Sequence, residues 1–239
     1  MPRIIWAAAL ARVKTVQAAQ EALGHYLDIQ HLLQCEPSND PHLVHSRIPM
    51  LMLRLNRDRE CYKWVRNWAI ASVESLDLDE QPKLYEDLNN ADVFEDNGPL
   101  WRLTKEIAVV ATVALLKIKL VIDLEALGIT TSIVGPKVPL EIPDHIRRYY
   151  PASPIIAENH KILHSDNHQE VISDLTDQIC FLVKRVRFLR HAYSSHLAPF
   201  LAAACGIEAN CSNIRELANY SRSCWKKVPG AKDFVSEIE

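Results

Sequence analysis

The stretch LWRLTKEIAVVATVALLKIKLVIDLEALG, residues 100–128, is apolar on nearly every side from Ile107 to Leu116. A helix without a polar face has to be surrounded by other elements. The segment is therefore expected as the central buried helix of a domain, with Gly128 as its stop. Its uninterrupted apolar run reaches Lys117 after ten residues, whereas a helical crossing of a bilayer takes about 20, so a membrane span is not expected.

The remainder of the chain supplies helices to cover such a core. Six glycines against thirteen prolines, with few β-branched runs, suit helices punctuated by prolines better than a sheet that needs tight turns. From Val16 the positions Val16, Ala19, Leu23, Tyr26, Gln30 and Leu33 step by three and four, an amphipathic pattern with one polar exception. Asp40 and Pro41 form a cap and first-turn pair for a following helix, in which Val44, Ile48, Leu51, Met52 and Leu55 share a face. Pro49 either kinks that helix or delays its start to the residues after Ser46. The N-terminal MPRIIWAAALA reads as a helix start, because its apolar part is at the short limit for a secretory leader.

Asn56 can take the left-handed conformation that ends a helix, and Asp58 can cap the next, whose Cys61, Val65, Trp68 and Ser72 fall on one face beside Trp64. This helix, turn and helix resembles a tetratricopeptide unit. Asn56 stands at that family's turn glycine, Cys61 at its small packing position and Val65 at its aromatic position; Ala22 and Tyr26 in EALGHYLDI repeat the pattern. The step from Ala22 to Cys61 is 39 residues, longer than the family's repeat of about 34. LRLNRDRECYKWVRNW, NNADVFED and ALLKIKLVIDL together also resemble a group of uncharacterised fungal proteins, some with a MYND-type zinc finger. The finger's paired cysteines have no counterpart here, so the resemblance carries no zinc ligand over.

Residues 74–96 hold nine carboxylates against the single Lys83, the composition of a solvated acidic loop. Prolines 136, 139, 143, 151 and 154 mark 129–169 as an irregular connection with a short helix near Pro143 to Tyr150. A long helix follows, with Ile172, Leu175, Ile179, Leu182, Val186, Leu189 and Tyr193 in heptad spacing behind an Asn167/Glu170 capping box. A last helix is capped by Ser212 and presents Ile214, Leu217, Ala218, Ser221 and Trp225. The expected organisation is 1–128, a hairpin region with the acidic loop and the central helix; 129–169, the connection; and 170–239, a C-terminal helical pair, all within one integrated domain.

Several groups could carry chemistry. Asp92, Glu95 and Asp96 of DVFED, with the neighbouring Asp77, Asp79 and Glu80, would put carboxylates on one helical face for Mg2+. The spacing resembles that of class I terpene cyclases and implies diphosphate chemistry. That family's second motif finds only Asn219, Ser223 and Lys227 here, the last with the wrong charge for a metal ligand. His160, His164 and His168 recur every four residues, a zinc-ligand spacing only if one helix carries all three. Cys61, flanked by Arg57 and Arg59 in a first turn, could be activated, yet no base stands near it, and packing in the core explains it as well. Six cysteines without a C-x-x-C pair read mainly as thiols of a cytoplasmic protein.

The basic stripe of Lys184, Arg185, Arg187 and Arg190 could meet an acidic partner or the acidic segment of a second molecule, which allows a homo-oligomer. A net charge of −3 argues against a surface built for nucleic acid. The expected protein is all-α, with about eight helices in antiparallel hairpins, tetratricopeptide-like at the N-terminal end. Its expected function is that of a helical scaffold or protein-binding module without a cofactor. Tyr62, Trp64 and Trp68 would be its anchors if exposed, joined by Arg187 and Arg190. The competing class is an all-helical enzyme holding Mg2+ on Asp92, Glu95 and Asp96.

Overall fold

The computed structural model of the chain describes residues 2–33, 44–72, 92–96, 98–104, 106–134, 153–165, 167–194 and 228–237. Among them every regular element is helical: α1 (Pro2–Arg12), α2 (Val16–Leu33), α3 (Val44–Arg54), α4 (Asp58–Ser72), α5 (Pro99–Leu103), α6 (Ile107–Val134), α7 (Pro154–Ala157), α8 (His160–Leu163), α9 (Gln169–Ser194) and α10 (Ala231–Glu237). The expected Asp40 and Pro41 cap, residues 74–91, the helix near Pro143 and the helix after Ser212 lie outside the described residues.

The helices α1 to α4 pack in chain order, each on the next. α1 and α2 meet through small residues, since α1 contributes Ala7 and Ala11 to the core and α2 contributes Ala18, Ala19 and Ala22. Side chains of that size let two helix axes approach closely. Arg54, at the end of α3, ties this corner together. Its guanidinium donates to the carbonyls of Ala11 (2.7 Å) and Val13, at the C-terminal end of α1 where helical partners run out, and to that of Thr15 (3.2 Å), which also accepts from Ala19 N–H at the start of α2.

Between α3 and α4 the backbone closes as the sequence implies. Asn56 has φ 57°, Arg57 N–H donates to the Met52 carbonyl (2.9 Å) and Asn56 N–H to the Leu53 carbonyl (3.2 Å). These are the two bonds of a Schellman ending, with asparagine in the left-handed position that glycine usually takes. Pro49 sits inside α3, whose residues Val44 to Leu53 are all buried. Cys61 packs behind it, its Sγ donating to the Pro49 carbonyl at 3.4 Å.

α6 is the central helix. Val109, Val113, Lys117, Ile118, Leu120, Val121 and Leu124 are fully covered, and α3, α4, α7, α9 and α10 all lie against it. It does not stop at Gly128 but continues to Val134. A glycine ends a helix by taking a positive φ, and among the described glycines only Gly230 does so, at 82°. The boundary expected at residue 128 therefore falls inside a continuous element. The stretch 153–163 is likewise more than a connection, because α7 packs on α4 and α6 and buries Ile155 and Ile156. One hydrophobic core joins residues from Ala7 to Ala231.

α9 lies along α6 through Leu175, Ile179, Leu182 and Leu189, all buried at the expected heptad spacing. Asn167 Oδ1 accepts from Gln169 N–H at 2.9 Å at its start.

Candidate functional site

The apolar run of α6 is broken by two lysines, two residues apart and so on opposite sides of the helix. Both are buried, and each holds an irregular segment in place. Lys117 is 0% exposed. Its Nζ donates to the carbonyls of Val93 (2.8 Å) and Glu95 (2.9 Å) and to Gln178 Oε1 on α9, which uses all three of its N–H groups. Burial draws its pKa down to about 8, against the opposing pull of Glu95, Asp96 and Asp92.

The segment that Lys117 grips is DVFED itself, and it is a turn rather than a helix. Asp92 Oδ1 accepts from Phe94 N–H (3.2 Å), and the Asp92 carbonyl from Glu95 N–H (3.0 Å). Glu95 Oε1 turns inward to accept from the Tyr62 hydroxyl (2.5 Å) and from Arg66 Nε (2.9 Å). Burial, with Glu95 alongside, pushes the Tyr62 phenol well above its ordinary value. The turn is thus clamped by α4, α6 and α9 together. The helical spacing that would align Asp92, Glu95 and Asp96 on one face is not realised. Among the described residues no group of three His, Cys, Asp or Glu side chains is arranged to hold a metal ion.

Beside this clamp an open cleft of about 520 Å³ is lined by Phe94, Asp96, Arg102, Asp174, Asp177, Phe181 and the clamp residue Gln178. The Arg102 guanidinium carbon sits 5.7 Å from the centre of the Phe181 ring. The cleft's outer wall is α9, whose outward residues change character along its length. Glu170, Asp174 and Asp177 are exposed in its first half, and Lys184, Arg187 and Phe188 in its second. Phe188 is 62% exposed, with the Arg185 guanidinium carbon 5.3 Å from its ring centre.

Lys119 serves the opposite side of α6. It donates to Asp58 Oδ2 (2.7 Å) and Asn56 Oδ1 (3.1 Å), and Ser153 Oγ donates to the same Asp58 oxygen (2.9 Å). Ser153 N–H in turn donates to Asp123 Oδ2 at 2.7 Å. The sequence predicts a helix cap at Asp58. Its carboxylate is instead an interior anion that joins the α3 to α4 turn to α6 and to the start of α7.

The remaining sequence candidates scatter. Tyr62 and Trp68 are buried, and Trp64 is half-buried. Trp68 is stacked between His45 (ring centres 4.6 Å) and Trp64 (5.4 Å), and His45 Nε2 lies 3.2 Å from Glu106 Oε2. Arg187 is exposed on α9; Arg190 lies on the same helix. Cys61 is buried among apolar neighbours. His160 and His164 bracket the short α8, while His168 is buried beyond it, a ring nitrogen 2.8 Å from the Ile162 carbonyl. One helix does not carry all three.

Sequence reading missed both lysine nodes. The only signal was a lysine inside an otherwise apolar helix at Lys117 and again at Lys119, which requires an oxygen partner that the sequence does not name. Comparison with known proteins finds no matching family model, no matching curated protein and no matching solved structure.

Proposed function

We propose that the protein is a non-catalytic helical scaffold that binds a protein partner through the outward face of α9 and the cleft beside it. The observation that carries this reading is Phe188, a large ring 62% exposed on a helix whose opposite face is packed on α6. A rigid aromatic anchor ringed by charge is the usual composition of an energetic centre in a protein interface. The clamp of Lys117, Gln178 and Glu95 supports it by fixing the cleft wall before any partner arrives, which lowers the ordering cost of binding. The chain-order packing of α1 to α4, the asparagine turn and the buried Cys61 support the tetratricopeptide-like reading of the N-terminal end. That Cys61 and Cys180 are thiols rather than halves of a disulfide supports a cytoplasmic setting. Among the described residues no helix is long and apolar enough to cross a membrane.

The test is affinity capture of the full chain from its own cells, with the wild type beside Phe188→Asp. A partner recovered by the wild type should fall about tenfold or more with the variant, as expected for loss of an interface anchor. Recovery of the same partners in equal amounts by the folded variant would sink the reading.

A further inference from the structure

The outward face of α9 is complementary to itself. Its acidic half carries Asp174 and Asp177, and its basic half carries Lys184 and Arg187, all four exposed. Asp177 and Lys184 lie equally far along the chain from the midpoint between Cys180 and Phe181, as do Asp174 and Arg187. Two copies of this helix laid antiparallel about that midpoint place Asp177 of one opposite Lys184 of the other, since residues seven apart share a helix face, and bring Asp174 and Arg187 to the same height along it. A parallel arrangement would set acid against acid and base against base. The face is available because the heptad seam of the same helix, Leu175, Ile179, Leu182 and Leu189, is already buried inside its own chain.

We infer that the partner of this face is a second copy of the chain, packed antiparallel along α9 about a two-fold axis passing between Cys180 and Phe181. This rests on the reading of α9 as a partner surface and names the partner. The contact is isologous, so it closes as a dimer rather than growing into a fibre. The stretch from Asp174 to Phe188 covers about 21 Å of helix, two heptads in a row. Exposed ion pairs contribute little each, so the two symmetric Asp177–Lys184 pairs set orientation and register. The apolar contact comes from the half-buried Phe181 near the axis and the exposed Phe188 towards each end. Cys180, a half-buried thiol, falls beside the axis and meets its own symmetry mate.

The experiment is native mass spectrometry and light scattering of the full chain, in the wild type, Asp177→Lys, Lys184→Asp and the double variant. The wild type should appear at twice the 27.2 kDa of one chain. Each single variant should appear at the mass of one chain, and the double variant should return to the dimer, because reversing both charges recreates the antiparallel pairing. Circular dichroism checks that these exposed substitutions leave the helices intact. As a second readout on unaltered charges, mild diamide oxidation should link two wild-type chains through a Cys180–Cys180 disulfide. A monomeric wild type, single variants that remain dimeric, a double variant that fails to recover, or a wild-type diamide link that contains no Cys180–Cys180 disulfide would each overturn the inference. If a monomeric wild type still captured another protein through Phe188, the second copy would be excluded as occupant while α9 remained a partner surface.

Discussion

Lys117 and Lys119 occupy the same helix two residues apart and are buried alike, yet they solve different problems. Lys119 answers a carboxylate, Asp58, at 2.7 Å, and the pair holds a helix turn and the start of α7. Lys117 answers two backbone carbonyls and an amide, at 2.8 Å, 2.9 Å and at Gln178, with the Glu95 carboxylate directed towards Arg66 and Tyr62 instead. A buried ammonium can therefore be held by neutral dipoles as well as by a counter-ion, but the consequences of removing it differ. Taking away Lys119 strands a charge in the interior. Taking away Lys117 strands only carbonyl groups.

The comparison is broken most directly at Lys119. Lys119→Ala leaves the Asp58 carboxylate, 0% exposed, without its cation, and should cost about 3–5 kcal/mol. In thermal unfolding that appears as a fall of roughly 10 °C. Adding Asp58→Asn to Lys119→Met should recover most of the loss, since no charge is then left uncompensated. A single variant as stable as the wild type would show that the pair does not bear on the fold.

Lys117→Met should cost less, about 1–3 kcal/mol, because what it leaves behind is neutral acceptors, two backbone carbonyls and the Gln178 amide oxygen, rather than a charge. Hydrogen exchange should rise in residues 92–96 and stay unchanged around Asp58. The pH dependence sharpens the contrast. The Lys117 pKa is about 8 in the folded chain against an ordinary 10.5. Between those values the unfolded chain holds more protons, so this group's contribution to stability rises with pH across that window. The stability of the wild type minus that of Lys117→Met should therefore climb from pH 8 towards 10.5. A flat difference would show that the ammonium titrates normally.

The smallest effect belongs to the turn that Lys119 touches. Asn56→Ala forces a left-handed alanine and should cost about 1–2 kcal/mol. Asn56→Gly keeps the backbone and gives up only the 3.1 Å bond to Lys119, so its cost by urea unfolding should stay under about 1 kcal/mol. Equal losses for the two would place the importance of Asn56 in its side chain rather than in its φ.

Much of the architecture was legible in local pattern. The all-round apolar run announced a central helix, the heptad seam of α9 announced its packing face, and Asn56 before Asp58 announced the turn between α3 and α4. Each is a statement about neighbours three or four residues apart, where periodicity carries the information. The candidate site was much less legible. DVFED has the spacing of a helical acidic face, but Lys117 takes its backbone carbonyls from 22 and 24 residues away, and the segment settles as a turn. Tyr62 and Trp68 look like anchors on a helical wheel, and nothing local says that Glu95 and His45 cover them. The expected stop at Gly128 failed for a related reason: a glycine can end a helix, but it does so only when its backbone takes a positive φ, and residue type alone does not fix that choice.

The sequence by itself determined the helical class, the identity of the buried central helix and the ordering of charge along α9, because these depend on composition and on spacing within one turn or one heptad. Only the tertiary structure decided which oxygens meet Lys117 and Lys119, which way Glu95 points and which aromatic rings reach solvent. Those outcomes depend on where a buried charge finds its partners. A charge that cannot stay unpaired in an apolar interior recruits whatever polar group the packing brings near, however distant in the chain.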